Sequence, residues 1–107
     1  MALFLDELYI ERKNFRANVK VLYDAILSDK FPAGVSRVAG PWHSSEAATI
    51  YLVLDVENLD NTFSSFFDAI AGDVLTGRRL IPIVDSAQVE RLLNDAPAAR
   101  QPAQEAN

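Results

Sequence analysis

The stretch A-T-I-Y-L-V-L-D-V-E, residues 48–57, constrains the fold more than any other part of the chain. Side chains along a strand point alternately to opposite faces. Ile50, Leu52, Leu54 and Val56 therefore share one face, and Tyr51, Val53, Asp55 and Glu57 share the other. This is the strongest strand in the sequence, and the remaining elements are placed around it. Residues 2–10, A-L-F-L-D-E-L-Y-I, are rich in strand formers and too short for a good helix. Phe15, Val19, Leu22 and Ile26 recur at helical spacing, widened by Tyr23 and Leu27. Asn14 is expected to cap that helix, and Phe31-Pro32 follows its end.

Gly34 precedes a short strand, V-S-R-V-A-G. The polar stretch G-P-W-H-S-S-E, residues 40–46, is then expected to be a long hairpin loop into the strong strand. Asn58 or Asp60 can cap a second helix, with Phe63, Phe66, Phe67, Ile70 and Val74 as its expected buried stripe. R-R-L-I-P-I-V closes the sheet, and Pro82 places it at an edge or turns that position outward. Asp85 and Gln88 resemble a capping box before a short helix with Val89, Leu92 and Leu93 on its apolar side. Residues 1–95 read as a single domain, and 96–107 as a disordered tail without apolar periodicity.

The expected fold is thus α+β: a ferredoxin-like β-α-β-β-α-β order, a four-stranded antiparallel sheet and an extra C-terminal helix. With that order, residues 2–84 resemble the dimeric α/β-barrel superfamily and its small bacterial members. The resemblance rests on the element order, on a glycine-containing hairpin before the third strand, and on the closing R-L-I-P-I-V. It implies a homodimer with two sheets paired face to face and a pocket between each sheet and its helices. Relatives of this kind include cofactor-free monooxygenases of aromatic polyketides, lactone isomerases, and haem-degrading or haem-binding enzymes. One fold hosting so many chemistries transfers no single activity.

Composition removes several classes of function. A net charge of -5 argues against nucleic acid and against an anionic membrane surface. With no cysteine there is no disulfide, thiolate metal site or cysteine nucleophile. No apolar run reaches the roughly 18 residues of a membrane span, and the N-terminus does not read as a signal peptide, so a cytoplasmic location is expected. Neither a G-x-S-x-G elbow nor a phosphate-binding glycine loop occurs.

A few residues stand out chemically. Asp6 and Glu7 are adjacent on the first strand, so one points to each face. A carboxylate under the helices is either paired, with Arg37, Arg78 or Arg79 available, or a functional acid of raised pKa poised to take a proton. His43 is the only histidine and is either a solvated loop residue or a base or axial ligand. Trp42, the only tryptophan, either plugs an open end or intersubunit seam, or stacks on a flat ligand. Tyr23 and Tyr51 are either core aromatics or point a hydroxyl into a pocket, and the Phe63-Phe66-Phe67 cluster is core first and an aromatic ligand wall second, with Phe67 the ligand-binding candidate.

The leading expectation is a bacterial, cytoplasmic homodimer that binds a small apolar or aromatic molecule between sheet and helices. If catalytic, it acts as a cofactor-free monooxygenase or isomerase with His43, Asp6 or Glu7 as the acting group. Trp42, Tyr51, Tyr23 and Phe67 would then line or gate the pocket. No cofactor or metal is expected. The alternative is a non-catalytic homodimeric interaction module, with the helix at 86–94 as a docking element. Haem or metal binding through His43 is a third reading.

Overall fold

The computed structural model describes residues 2–95, so the tail expected at 96–107 lies outside the described residues. The elements are β1 (Ala2–Ile10), α1 (Phe15–Leu27), β2 (Val35–Ser44), β3 (Thr49–Val56), α2 (Phe63–Ala71), β4 (Leu75–Ile83) and α3 (Ser86–Asp95). A 3₁₀ turn at Leu59–Thr62 leads into α2, and the Asn58 side chain accepts from the Asp60 amide at its start. The four strands form an antiparallel sheet in the order β2-β3-β1-β4. This is an α+β fold in β-α-β-β-α-β order with a C-terminal helix. Its sheet is open at β2 and β4 rather than closed into a barrel.

The core follows the alternation of β3. Ile50, Leu52, Leu54 and Val56 are at most 3% exposed. Register places Phe4, Asp6 and Leu8 of β1 opposite Leu54, Leu52 and Ile50, so these share that face. From α1, Leu22 and Ile26 are buried on it, and Phe15, Val19 and Tyr23 pack beside them. From α2, Phe66, Ala69 and Ile70 do the same. Burying one such aliphatic side chain contributes about 1.5–3 kcal/mol. Asn18 fastens the two helical units together: its Nδ2 donates to the carbonyls of Glu11, Lys13 and Asp73 at 3.0–3.2 Å.

Three expectations are corrected. First, residues 40–44 are not loop. β2 runs to Ser44, and the turn into β3 is confined to residues 45–48. Two register shifts along β2, between Arg37 and Ala39 and between Ala39 and Trp42, let an edge strand carry Gly40 and Pro41. Gly40 has φ +87°, and a Cβ there would sit 2.9 Å from the Tyr51 carbonyl oxygen. Second, Asn14 precedes α1 in the left-handed region (φ 58°), where its side chain makes no capping bond. Its carbonyl instead accepts from the Asn18 amide.

Third, Phe63 and Phe67 are exposed, at 41% and 63%. The core-facing side of α2 is Phe66, Ala69 and Ile70, each partly buried, and the other two rings stack on each other at 6.1 Å on its flank. Val74 lies beyond the helix end and still reaches the core. Helix α3 is capped as expected, with the Gln88 amide donating to Asp85 Oδ1 at 2.7 Å. Yet none of its residues is buried, and Val89, Leu92 and Leu93 are all exposed.

Candidate functional site

The sheet and the two covering helices do not meet everywhere. Between them lies a cavity of about 360 Å³, within the size range of small-molecule sites. Its wall is mostly aliphatic and aromatic, with Leu8, Leu22, Ile26, Leu54, Phe66 and Leu75 among the lining residues. Lys30 and Asp68, both exposed, also border it. Two charged groups line it from within: Asp6 and Arg78.

Strand geometry brings these two together. In the β1–β4 register Asp6 faces Leu80 and Leu8 faces Arg78, so Asp6 and Arg78 are diagonal neighbours on one face. Arg78 Nε lies 3.2 Å from Asp6 Oδ1, and the side chains are only 9% and 6% exposed. Arg78 is held from two further directions. Its Nη1 donates to the Thr62 carbonyl at 3.0 Å, and its guanidinium lies 5.3 Å from the centre of the Phe66 ring.

The pair is incompletely satisfied. Nε and Oδ1 are within ion-pairing distance, but the N–H is not aimed along the contact, so the buried Oδ1 lacks a well-aligned hydrogen bond. Burial therefore dominates, and pushes the Asp6 carboxyl from its ordinary 3.8 up to about 6. Arg78 opposes that rise, first through its charge and then through its side-chain contact with the carboxyl, and the neighbouring Glu7 charge adds slightly to it. A carboxyl titrating near neutrality, in an apolar cavity beside a fixed cation, is equipped to exchange a proton with a bound molecule.

The other singled-out residues fall in two different places. Glu7 is on the opposite sheet face, opposite Tyr51 on β3 and Arg79 on β4, and it accepts from the Tyr9 hydroxyl at 2.8 Å. That hydrogen bond raises the Tyr9 pKa above its usual 10.0. Trp42 is opposite Tyr51 on that same face and is 54% exposed. His43 and Tyr23 meet at the β2 side of the helix-covered face. The His43 ring lies 6.0 Å from Phe15 and 6.2 Å from Tyr23, and its Nε2 shares a 2.9 Å hydrogen bond with the Ser45 hydroxyl. His43 is exposed, whereas burial raises the Tyr23 pKa.

Of these candidates, Asp6 alone lines the cavity. Phe67 does not, and its neighbour Phe66 does. Arg37 pairs with Asp29 at 3.0 Å and donates to the Gly40 carbonyl, so it serves the β2 irregularity rather than Asp6. The sequence offers Phe66, within the Phe63-Phe66-Phe67 cluster, as core first and as an aromatic ligand wall second, and leaves Arg78 as one of three arginines able to meet the acid. Thr62 carries no signal beyond its place before α2. Among the described residues no group of three or more histidine or acidic side chains is placed to hold a metal ion. No helix among them is long and apolar enough to cross a membrane.

Fold and site together define a small α+β protein with a largely apolar chamber beneath its helices and an ion pair on the chamber wall. No protein-family model, curated protein or solved structure matches this chain.

Proposed function

We propose that the protein binds a small, apolar or aromatic molecule in the cavity between sheet and helices, with Asp6 as its proton-exchanging group. The observation that carries this reading is the Asp6–Arg78 pair, buried on the wall of an apolar cavity, with Asp6 Oδ1 lacking a hydrogen-bond donor. A structural ion pair needs no cavity beside it, and an apolar cavity needs no carboxylate. Their coincidence favours a ligand with a polar end. Proton transfer of the kind an isomerase or a cofactor-free monooxygenase performs is the matching reaction class. His43, Glu7, Trp42 and Tyr51 do not line the cavity, so they enter this proposal only through a second protomer.

That second protomer is the other half of the proposal. Leu5, Tyr51, Val53 and Ile81 share the sheet face that the helices leave open. They remain partly accessible, while the helix-covered face of β3 is fully buried. Two such faces packed together would give a dimeric barrel. A non-catalytic homodimeric interaction module is the second reading, favoured by the exposed apolar side of α3.

Native mass spectrometry of the protein as purified tests both halves. A dimer carrying a discrete extra mass is expected. A bare dimer with no affinity for apolar probes leaves the interaction module as the better reading. A monomer at micromolar concentration overturns the barrel.

A further inference from the structure

We propose that the cavity captures an apolar monocarboxylic acid, whose carboxylate binds Arg78 and shares one proton with Asp6. This deepens the reading of the cavity as an apolar ligand site and rests on it. Asp6 and Arg78 each leave hydrogen-bonding capacity unused. Asp6 is 94% buried by side chain, and its Oδ1 lacks a donor. Arg78 has five N–H donors in a planar fork, directed in part to Asp6 and to the Thr62 carbonyl. The fork matches the two oxygens of a carboxylate. Both groups line the same cavity, whose remaining wall is largely apolar.

Charge then selects among polar end groups. An amine would satisfy Oδ1 but bring a second cation beside Arg78. A neutral alcohol would satisfy Oδ1 and leave the guanidinium fork unmatched. A carboxylic acid serves both: its proton supplies the missing donor between the two carboxyls, and its oxygens accept from Arg78. The exchange balances. The O–H bond of the ligand breaks, an O–H bond at Asp6 Oδ1 forms, and the electron pair stays on the ligand carboxylate facing Arg78. The cavity then holds one cation, one anion and one neutral acid, so no net charge is buried.

Direction follows from burial. Asp6, at about 6, holds a proton more tightly than an ordinary carboxylic acid at about 4.3. The charged groups around the site are Arg78 from β4, Lys30 after α1 and Asp68 on α2. Glu7 is next in sequence but points to the other face. Lys30 and Asp68 are exposed and of opposite sign, so they leave the interior balance unchanged.

The test is isothermal titration of the full chain with naphthalene carboxylate and, as a matched neutral probe, naphthyl methanol, between about pH 5 and pH 8. Running it in two buffers of different ionisation enthalpy reads proton uptake directly. The carboxylate is expected to bind with uptake of about one proton above the Asp6 pKa, its affinity falling about tenfold per pH unit there. The alcohol is expected to bind at least about tenfold more weakly at pH 6, with no proton uptake. In Asp6→Asn the carboxylate should lose its pH dependence. Equal binding of both probes without proton uptake would overturn the carboxylate inference and keep the apolar cavity. Binding of the alcohol alone would do the same. Failure of both probes would overturn the cavity reading itself. The wild-type pH series decides among these outcomes even if Asp6→Asn does not fold.

Discussion

Asp6 gives this protein a pH dependence of unusual sign, and that sign can be measured. An ordinary salt-bridged aspartate has a lowered pKa and stabilises the fold above it. Asp6 is raised instead, from 3.8 to about 6, because burial outweighs Arg78. Between those values the folded chain holds a proton that the unfolded chain has released. Stability therefore falls as pH rises through that window, and the loss is complete above about 6. At about 1.4 kcal/mol per pH unit the displacement corresponds to about 3 kcal/mol.

Replacing both partners, Asp6→Leu with Arg78→Met, removes the charges and keeps most of the volume. The double variant is expected to be as stable as wild type at about pH 7.5, or more stable by up to about 3 kcal/mol, as seen when buried ion pairs are replaced by apolar groups. Arg78→Met alone strands a buried carboxylate and is expected to cost about 3–5 kcal/mol at that pH. Urea unfolding followed by far-ultraviolet circular dichroism, from about pH 4.5 to about pH 7.5, gives each value. The difference between wild type and double variant isolates the pair from the exposed Lys20–Asp24 and Arg37–Asp29 bridges, which contribute little. If wild-type stability rises through this window relative to the double variant, Arg78 outweighs burial and the reasoning fails.

Ile50→Ala, at the fully buried centre of β3, is expected to cost about 2–5 kcal/mol, read as a lower urea midpoint with an unchanged slope. Asn18→Ala removes the donor for three carbonyls, two before α1 and one after α2, and is expected to lose about 1–3 kcal/mol. Hydrogen exchange at Val74, next to the released Asp73 carbonyl, should quicken. Gly40→Ala puts a methyl against the Tyr51 carbonyl at a positive φ, and should lower stability by about 1–3 kcal/mol, with thermal unfolding as the readout. Val53→Arg on the open sheet face should shift the native mass spectrum from dimer to monomer and leave the urea midpoint of the monomer nearly unchanged. An unaltered dimer would exclude face-to-face sheet pairing.

Much of the fold is legible because its strongest signals are periodic. The alternation of β3 predicts which four residues form the core floor, and the stripe of α1 predicts Leu22 and Ile26. Legibility fails where a local rule competes with pairing. Gly40-Pro41 is a turn signal by composition, yet the register shifts of an edge strand absorb it, so Trp42 and His43 sit on β2. Phe63 and Phe67 satisfy a helical stripe as well as Phe66 and Ile70 do. Helix α2 is only nine residues long, too short for its periodicity to separate the two candidate stripes. The apolar side of α3 is visible in the sequence, but periodicity alone cannot say whether the chain's own core receives it.

The site is half legible for a related reason. In β1 both phases of the alternation are apolar: Phe4, Leu8 and Ile10 on one, Leu3, Leu5 and Tyr9 on the other. The pattern therefore cannot tell Asp6 from Glu7. The same ambiguity holds on β4 for Arg78 and Arg79. Antiparallel pairing resolves both at once: Glu7 lies directly opposite Arg79, and Asp6, opposite Leu80, is the diagonal neighbour of Arg78. Register sends Asp6 and Arg78 under the helices, and Glu7 and Arg79 to the open face. Each acid thus has a basic residue on its own side of the sheet whichever way the sheet is turned. What distinguishes the two sides is their cover. Helices bury the first pair against an apolar cavity, which raises Asp6 toward neutrality. On the other face Arg79 stays exposed and Glu7 has the Tyr9 hydroxyl as a donor. Asp6 Oδ1 has no such donor, and the difference in cover, rather than the residue types, makes Asp6 the acid suited to exchanging a proton with a ligand.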